Sequence, residues 1–181
     1  ACQGHPETCR LLISHKADVG HCDEFDQTGL YASAFQGHTA TCELLVALNA
    51  DVNGSSSNTQ TPLHSAATKG RVTTCQALVA LKADVNARDH SKQTPLHYTA
   101  DRSRVDACKV LLALNADVVA RDAKNRTPLD LATDAVIQQM LLDCIHAPWS
   151  IADHHSMPDD IQQAVATVMT IRASPLLSTV W

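Results

Sequence analysis

A segment of about 33 residues recurs through most of the chain. Its clearest copy begins at residues 61–64, which read TPLH, and the same letters return at residues 94–97. Altered copies of this opening begin at Thr28 and Thr127, so that the four starts are evenly spaced along the chain. A fixed period of this length is typical of stacked repeats. The chain is therefore predicted to form a solenoid.

Each copy has the pattern of two short helices followed by an extended loop. Thr61 is a suitable N-cap, and Pro62 suits the first helical position because an N–H there would have no helical partner. The residues Lys69-Gly70 break the first helix, and apolar residues spaced by three and four then predict a second helix within 72–81. Neither helix is long enough to be stable alone, so each repeat must bury its apolar face against its neighbours.

Three features of the repeat resemble a known family: the TPLH opening, the Gly-His or Gly-Arg turn between the helices, and Ala-Asp-Val-Asn at the start of the loop. They resemble the ankyrin repeat over residues 1 to about 145. The implied fold class is all-α, an ankyrin-repeat solenoid of stacked helix-turn-helix units with β-turn loops, followed by a C-terminal helical segment. The expected divisions are a partial repeat at 1–27, full repeats at 28–60, 61–93 and 94–126, a short terminal repeat at 127–145, and a linker with an amphipathic helix at 146–181.

Some positions depart from the usual ankyrin pattern. Members of the family usually carry Gly where the second helix ends in a left-handed conformation. This chain has Asn49 and Asn115 there, which tolerate that backbone, but also Lys16 and Lys82, for which it costs about 1 kcal/mol. The two Lys repeats are therefore expected to be strained or capped differently. Tyr31 replaces the histidine of the opening and is expected to lose its short hydrogen bonds to the neighbouring loop, which predicts a looser first full repeat.

Composition argues against several function classes. The formal net charge of −5 provides no basic footprint for nucleic acid. No signal peptide and no apolar run of about 18 residues occurs, so no membrane contact is predicted. The chain is expected to be soluble and intracellular, either cytoplasmic or nuclear. Aromatic residues make up only 3% of the chain, as suits a stack of short helices filled by Ala, Leu, Val and Cys.

Four of the seven cysteines occupy the same position of successive repeats, on the predicted second helices: Cys9, Cys42, Cys75 and Cys108. Packed helices lie about 8–10 Å apart. A disulfide needs Cα atoms within about 7 Å, and zinc needs its sulfur ligands at about 2.3 Å. The four residues are therefore predicted to form one column of small core residues, in a reducing compartment.

No residue pattern predicts catalysis, a cofactor or a metal site. His64 and His97 are structural histidines of the repeat, and the adjacent His154 and His155 have no Cys or carboxylate set beside them. No phosphate-binding Gly loop, nucleophile elbow or kinase signature occurs. The chain is predicted not to be an enzyme and to need no cofactor.

The resemblance implies that the chain binds another protein on a concave surface formed by the loop tips and the exposed side of each first helix. It would then be a monomeric protein-protein interaction module or scaffold. The family's contact positions, placed on this sequence, predict these partner-binding residues: Glu24, Phe25, Gln27, Phe35, Gln36, Asn58, Gln60, Thr68, Lys69, His90, Ser91, Gln93, Asp101, Arg102, Lys124 and Arg126. The set has an apolar end, where Phe25 and Phe35 are expected to form a binding hot spot, and a basic end toward Arg126.

Two other functions and one modification stay open. The array could be the substrate-receptor subunit of a ubiquitin ligase, although the Leu-Cys-Arg and Leu-Pro-Leu-Pro motifs of the suppressor-of-cytokine-signalling box do not occur in the tail. It could also be a regulatory segment of a larger multidomain enzyme. Finally, Asn53 and Asn86 each end a Leu-x6-Val-Asn pattern that an asparaginyl hydroxylase modifies in other ankyrin proteins. The alternative is that both stay unmodified and satisfy backbone groups of the loop.

Overall fold

The computed structural model describes residues 4–146. Its helices are, in chain order, α1 Pro6–Ser14, α2 Gly29–Gln36, α3 Thr39–Ala47, α4 Pro62–Lys69, α5 Val72–Ala80, α6 Pro95–Asp101, α7 Val105–Ala113, α8 Pro128–Leu131 and α9 Ala135–His146. Within the described residues, the only β-type pairing outside these helices is an isolated antiparallel bridge between Cys22 and Thr28. The predicted all-α fold class is confirmed.

The helices stack in two rows. The first helices α2, α4, α6 and α8 pack each against the next, and the second helices α1, α3, α5 and α7 do the same. Within a repeat, α2 packs on α3, α4 on α5 and α6 on α7. The apolar core therefore extends along the stack, and each repeat is stabilised mainly by its neighbours.

The chain divides into two compact units, Ala1–Ile145 and His146–Trp181. Apart from His146, the second unit lies outside the described residues. The amphipathic helix expected within 146–181 therefore stays a sequence-based prediction, as do the expectations for His154 and His155.

The N-cap of each first helix is a threonine in an extended conformation: Thr28, Thr61, Thr94 and Thr127. At Thr61 the backbone N–H donates to Nδ1 of His64 at 3.1 Å. Because Nδ1 accepts, Nε2 must hold the ring proton, and it donates to the carbonyl of Gln93 at 3.0 Å. The buried His64 thus closes its own helix cap and connects that helix to the start of the next repeat.

The four aligned cysteines are confirmed as core residues. Cys42, Cys75 and Cys108 are fully buried, Cys9 is 4% exposed, and all four are free thiols. Burial raises the pKa of the Cys42 and Cys75 thiols to about 12. These thiols therefore stay protonated at neutral pH. Because the thiolate is the reactive form of cysteine, they are expected to be unreactive in the folded protein.

The second helices α1, α3, α5 and α7 are each followed by a residue in the left-handed conformation. Lys16, Asn49, Lys82 and Asn115 have φ angles of 67°, 69°, 73° and 62°. The lysine repeats therefore do not end differently from the asparagine repeats. Of the two expectations for Lys16 and Lys82, backbone strain is the one that the structure supports.

The turn between α4 and α5 favours glycine at position 70 for two reasons, whereas the turn between α6 and α7 has Ser103 at a φ of 53°. Gly70 has a φ of 69°, and a Cβ at this position would lie 3.1 Å from Cδ of Arg104. Nε of Arg104 donates to the carbonyl of Thr68 at 3.2 Å. The arginine of one repeat thus lies over the turn of the preceding repeat and satisfies a carbonyl at the end of its first helix.

The terminal repeat is irregular. Its first helix, α8, has only four residues. Its second helix begins at Ala135, whereas one full repeat period counted from Val105 would place that start at position 138. Ile137 and Leu141 of this helix are fully buried, so the shifted helix still fills the core.

Candidate protein-interaction surface

Four loops precede the four first helices: loop 1 (21–27), loop 2 (54–60), loop 3 (87–93) and loop 4 (120–126). We call the tips of these loops, together with the exposed sides of α2, α4, α6 and α8, the recognition face. Each loop is a hairpin, as in loop 3, where the Asp89 N–H donates to the Gln93 carbonyl at 3.0 Å. The Asp89 carboxylate in turn accepts from the Gln93 N–H at 2.8 Å. These bonds order the loop tips without any partner present.

Neighbouring loops are hydrogen-bonded to each other. The bonds join the Ser57 hydroxyl to the Phe25 carbonyl at 3.2 Å, the His90 N–H to the Asn58 carbonyl at 3.1 Å, and the Ala123 N–H to the Ser91 carbonyl at 2.8 Å. The four tips are therefore held side by side, at the spacing of packed helices, about 8–10 Å. A surface that is ordered in this way loses little conformational entropy on binding.

Both phenylalanines of the chain lie at the loop 1 end of the recognition face. Phe25, at the tip of loop 1, is 61% exposed. Phe35, on α2, is half-buried, and the Lys69 ammonium lies 4.5 Å from its ring centroid in a cation–π contact. An open depression of about 260 Å³ adjoins this ring and is lined by Gln27, Tyr31, Ala32, Phe35 and Gln36. The depression combines the apolar surfaces of Ala32 and Phe35 with polar groups of Gln27, Tyr31 and Gln36.

A chain of side-chain hydrogen bonds runs along the recognition face from α2 to loop 3. The Tyr31 hydroxyl donates to Oε1 of Gln60 at 3.0 Å, and Nε2 of Gln60 donates to the Tyr98 hydroxyl at 2.6 Å. The Tyr98 hydroxyl then donates to Oδ2 of Asp89 at 2.6 Å. Burial, and after it the hydrogen bond to Asp89, raises the pKa of Tyr98, so this hydroxyl stays a donor at neutral pH. Every donor points toward the carboxylate, an arrangement in which each bond polarises the next.

This chain of bonds corrects one expectation from the sequence. Tyr31 was expected to lose the link that a histidine makes to the next loop, and that expectation is wrong. Its hydroxyl reaches the side chain of Gln60, whereas His64 uses the backbone carbonyl of Gln93. The longer side chain of tyrosine thus replaces a backbone contact with a side-chain contact.

The opposite end of the recognition face is basic. Lys92 and Lys124 are exposed in loops 3 and 4. Where α6 ends, Nε of Arg102 lies 3.1 Å from Oδ2 of Asp101, and both side chains are about half exposed. An exposed pair of this kind contributes at most about 1 kcal/mol to stability, so a partner can take over either charge at little cost.

Arg126 has a structural role in loop 4. Its Nε and Nη2 both donate to Oδ2 of Asp122, at 2.9 and 2.7 Å. Burial of the Asp122 carboxyl acts to raise its pKa, but hydrogen bonds from Arg126 and from the Lys124 N–H outweigh burial and hold the pKa at about 2. This carboxylate is therefore ionised at any physiological pH and anchors the loop.

The structure places the predicted contact residues in two groups. The exposed group contains Glu24, Phe25, Gln36, Asn58, Lys69, His90, Ser91, Asp101, Arg102 and Lys124, and the half-buried group contains Gln27, Phe35, Gln60, Thr68, Gln93 and Arg126. In the second group, Gln60 and Arg126 use their polar atoms in the internal bonds described above, and the Thr68 hydroxyl donates to the His64 carbonyl at 2.8 Å. These side chains hold the recognition face in shape.

Sequence reasoning missed Tyr98, Asp89 and Lys92. Tyr98 occupies the repeat position that holds Ser65 and Ala32 in the preceding repeats. A large polar residue at a position that is otherwise small is the sequence signal that could have identified Tyr98. The carboxylate of Asp89 accepts hydrogen bonds from the Gln93 N–H in loop 3 and from the Tyr98 hydroxyl on α6. Residue spacing alone does not predict this pair of contacts. Lys92 has a left-handed backbone conformation, with a φ of 57°, and its side chain is exposed at the tip of loop 3.

Within residues 4–146, no group of three or more His, Cys, Asp or Glu side chains is placed to hold a metal ion. None of the helices in this part of the chain has the length and apolar character needed to cross a membrane. Every buried side-chain nitrogen and oxygen described here has a hydrogen-bond partner.

The two rows of stacked helices and the row of linked loops define a helical repeat protein. A family model described as "Ankyrin repeats (3 copies)" matches residues 1–89 and again residues 75–147. The chain belongs to the ankyrin repeat family, because these matches cover well over half of its 181 residues. A search among curated proteins gives no match. Ankyrin repeats are in general protein-interaction modules and are typically non-catalytic.

Proposed function

We propose that this chain is a monomeric, non-catalytic module of an intracellular protein, and that its recognition face binds a segment of one partner protein. Two observations at the loop 1 end support this most: Phe25 is exposed at the loop tip, and Phe35 lines a depression on the same face. An exposed aromatic ring lowers solubility, and aromatic residues are enriched in binding hot spots. The loop tips are already ordered by their mutual bonds, so partner binding requires little rearrangement.

The proposal is tested by removing the aromatic side chain. Phe25→Ala should weaken capture of partners from cell extract by the 181-residue chain, with a loss of affinity for the captured protein of about 1–3 kcal/mol. The urea midpoint should not change, because 61% of the Phe25 surface is already exposed.

A matched control is Val136→Ala, since Val136 is 55% exposed but lies on α9, away from the loops. This variant should capture the same proteins with unchanged affinity. Equal capture by the Phe25 variant and the wild-type chain would show that the recognition face is not the binding site.

Hydroxylation of Asn53 and Asn86 stays a proposal that rests on the family resemblance. Oδ1 of Asn53 accepts from the Asp84 N–H at 2.9 Å, and Oδ1 of Asn86 accepts from the Asp117 N–H at 2.8 Å. These bonds to the next repeat give each asparagine a structural role even without modification. Peptide mass spectrometry of protein from its native cells should show one added oxygen at either site, and consistent absence would remove the proposal.

A further inference from the structure

The formal charge of the loops changes steadily along the array. Loop 1 has a charge of −3 from Asp23, Glu24 and Asp26, and loop 2 has no charged residue. Loop 3 has +1 from Arg88 and Lys92 against Asp89, and loop 4 has +2 from Arg121, Lys124 and Arg126 against Asp122. The whole chain has a formal charge of −5, so this ordering is not a consequence of average composition.

Some of these charges are needed to build the loops. Asp23, Asp89 and Asp122 accept backbone N–H groups within their own loops. Arg88 and Arg121 donate to loop carbonyls, and Arg126 binds Asp122. These interactions explain why the six residues are present without invoking a ligand.

The remaining four charges have no such explanation. Glu24 and Asp26 in loop 1, Lys92 in loop 3 and Lys124 in loop 4 are all exposed. Within the described residues, none of their charged groups makes a hydrogen bond or an ion pair. After the structural charges are set aside, the order along the face is still negative, neutral, positive and positive.

We propose that the recognition face binds an extended peptide segment with opposite charges at its two ends. Basic residues of the segment lie opposite loop 1, an apolar or aromatic side chain enters the depression beside Phe35, and acidic residues lie opposite loops 3 and 4. This inference rests on the proposed function, and it adds the chemistry and the orientation of the partner segment. Complementary charge at both ends attracts the segment in one orientation and repels it in the other, which gives specificity as well as faster association.

The spacing of the loops sets the spacing of the charges in the partner. Loops 1 and 4 are three repeats apart, which corresponds to about 24–30 Å at the usual distance between packed helices. An extended chain advances about 3.3 Å per residue. The basic and acidic ends of the segment should therefore be separated by about 7–9 residues, with uncharged residues opposite loop 2.

The test uses three labelled synthetic peptides of identical composition and the 181-residue chain. Two peptides have two Lys at one end, Phe next to the Lys pair, and two Glu at the other end, about eight residues away. In one of these peptides the Lys pair is at the N-terminus, and in the other it is at the C-terminus. The third peptide has the same charges in alternation. Fluorescence anisotropy at low salt should show one of the segregated peptides binding about tenfold more tightly than the alternated one, and high salt should reduce the difference.

Charge reversal in the protein supplies the controls. The double variant Lys92→Glu with Lys124→Glu should weaken binding of the preferred peptide about tenfold. It should also bind more tightly than wild type to a peptide in which both Glu are replaced by Lys. The variant Lys82→Glu with Lys109→Glu has the same net charge but alters exposed lysines outside the loops, and it should bind as wild type does.

The proposal is overturned if the alternated peptide binds as tightly as both segregated peptides, if no peptide binds, or if the two double variants behave alike. Any of these results leaves the proposed function standing, provided that Phe25→Ala still weakens capture of the natural partner. Loss of the effect of Phe25→Ala would instead refute the proposed function itself.

Discussion

Replacing His64 with alanine tests how much of the stability depends on the link between a helix cap and the following repeat. The imidazole is fully buried, accepts from the Thr61 N–H at 3.1 Å and donates to the Gln93 carbonyl at 3.0 Å. Alanine leaves the Thr61 N–H without a partner, in a site that water does not reach, and removes one of the two bonds that the Gln93 carbonyl accepts, the other being from the Asp89 N–H.

The expected cost follows from these two bonds. The unsatisfied Thr61 N–H costs about 1–3 kcal/mol, the lost bond to the Gln93 carbonyl costs about 0.5–1.5 kcal/mol, and loss of the ring adds a cavity term. The free energy of unfolding should therefore fall by about 2–5 kcal/mol, a large part of the roughly 5–15 kcal/mol that is typical of a domain. His90→Ala is the matched control because His90 is exposed at a loop tip, and it should cost less than about 0.5 kcal/mol.

Urea denaturation followed by far-UV circular dichroism measures both variants at pH 7.5, where the lowered pKa of His64 keeps its buried imidazole neutral. A loss of less than about 1 kcal/mol for His64→Ala would contradict this reasoning. It would mean that the Thr61 N–H finds another partner and that the histidine link is not a main source of stability.

Three other predictions concern protonation, thiol reactivity and backbone strain. Burial lowers the pKa of His64 and His97 below the ordinary 6.5, so the unfolded chain binds more protons than the folded chain as the pH falls. The urea concentration at the unfolding midpoint should therefore be lower at about pH 5.5 than at about pH 7.5, and this difference should be smaller in His64→Ala. A thiol reagent with peptide mapping should modify the exposed Cys144 in the native protein, but the four column cysteines only after unfolding; rapid labelling of the column would refute its burial. Lys82→Gly should raise the free energy of unfolding by about 0.5–1 kcal/mol, because φ at this position is 73°, and an unchanged midpoint would show that the lysine is not strained.

The features that sequence predicted well are those that repeat. The caps at Thr61 and Thr94, the cysteine column and the left-handed ends at Asn49 and Lys82 each occur at one fixed position of the repeat. A position that must fit the same neighbours in every repeat has the same packing environment each time. Its structural role can therefore be inferred from periodicity alone.

The features that sequence did not predict are those that occur once. The contacts from Tyr31 to Gln60 and from Gln60 to Tyr98 join residues 29 and 38 positions apart, and they depend on the reach of particular side chains. The cation–π contact between Lys69 and Phe35 likewise depends on the conformation of a long side chain. Neither follows from a pattern of residue types, because no second repeat has the same pair.

Hydrogen exchange of the 181-residue chain, with and without its captured partner, tests the central claim most directly. We expect binding to slow exchange in loops 1, 3 and 4 and in α2, while exchange in the second helices α3, α5 and α7 stays unchanged. Slower exchange confined to the second helices or to α9 would contradict the claim that the recognition face binds the partner.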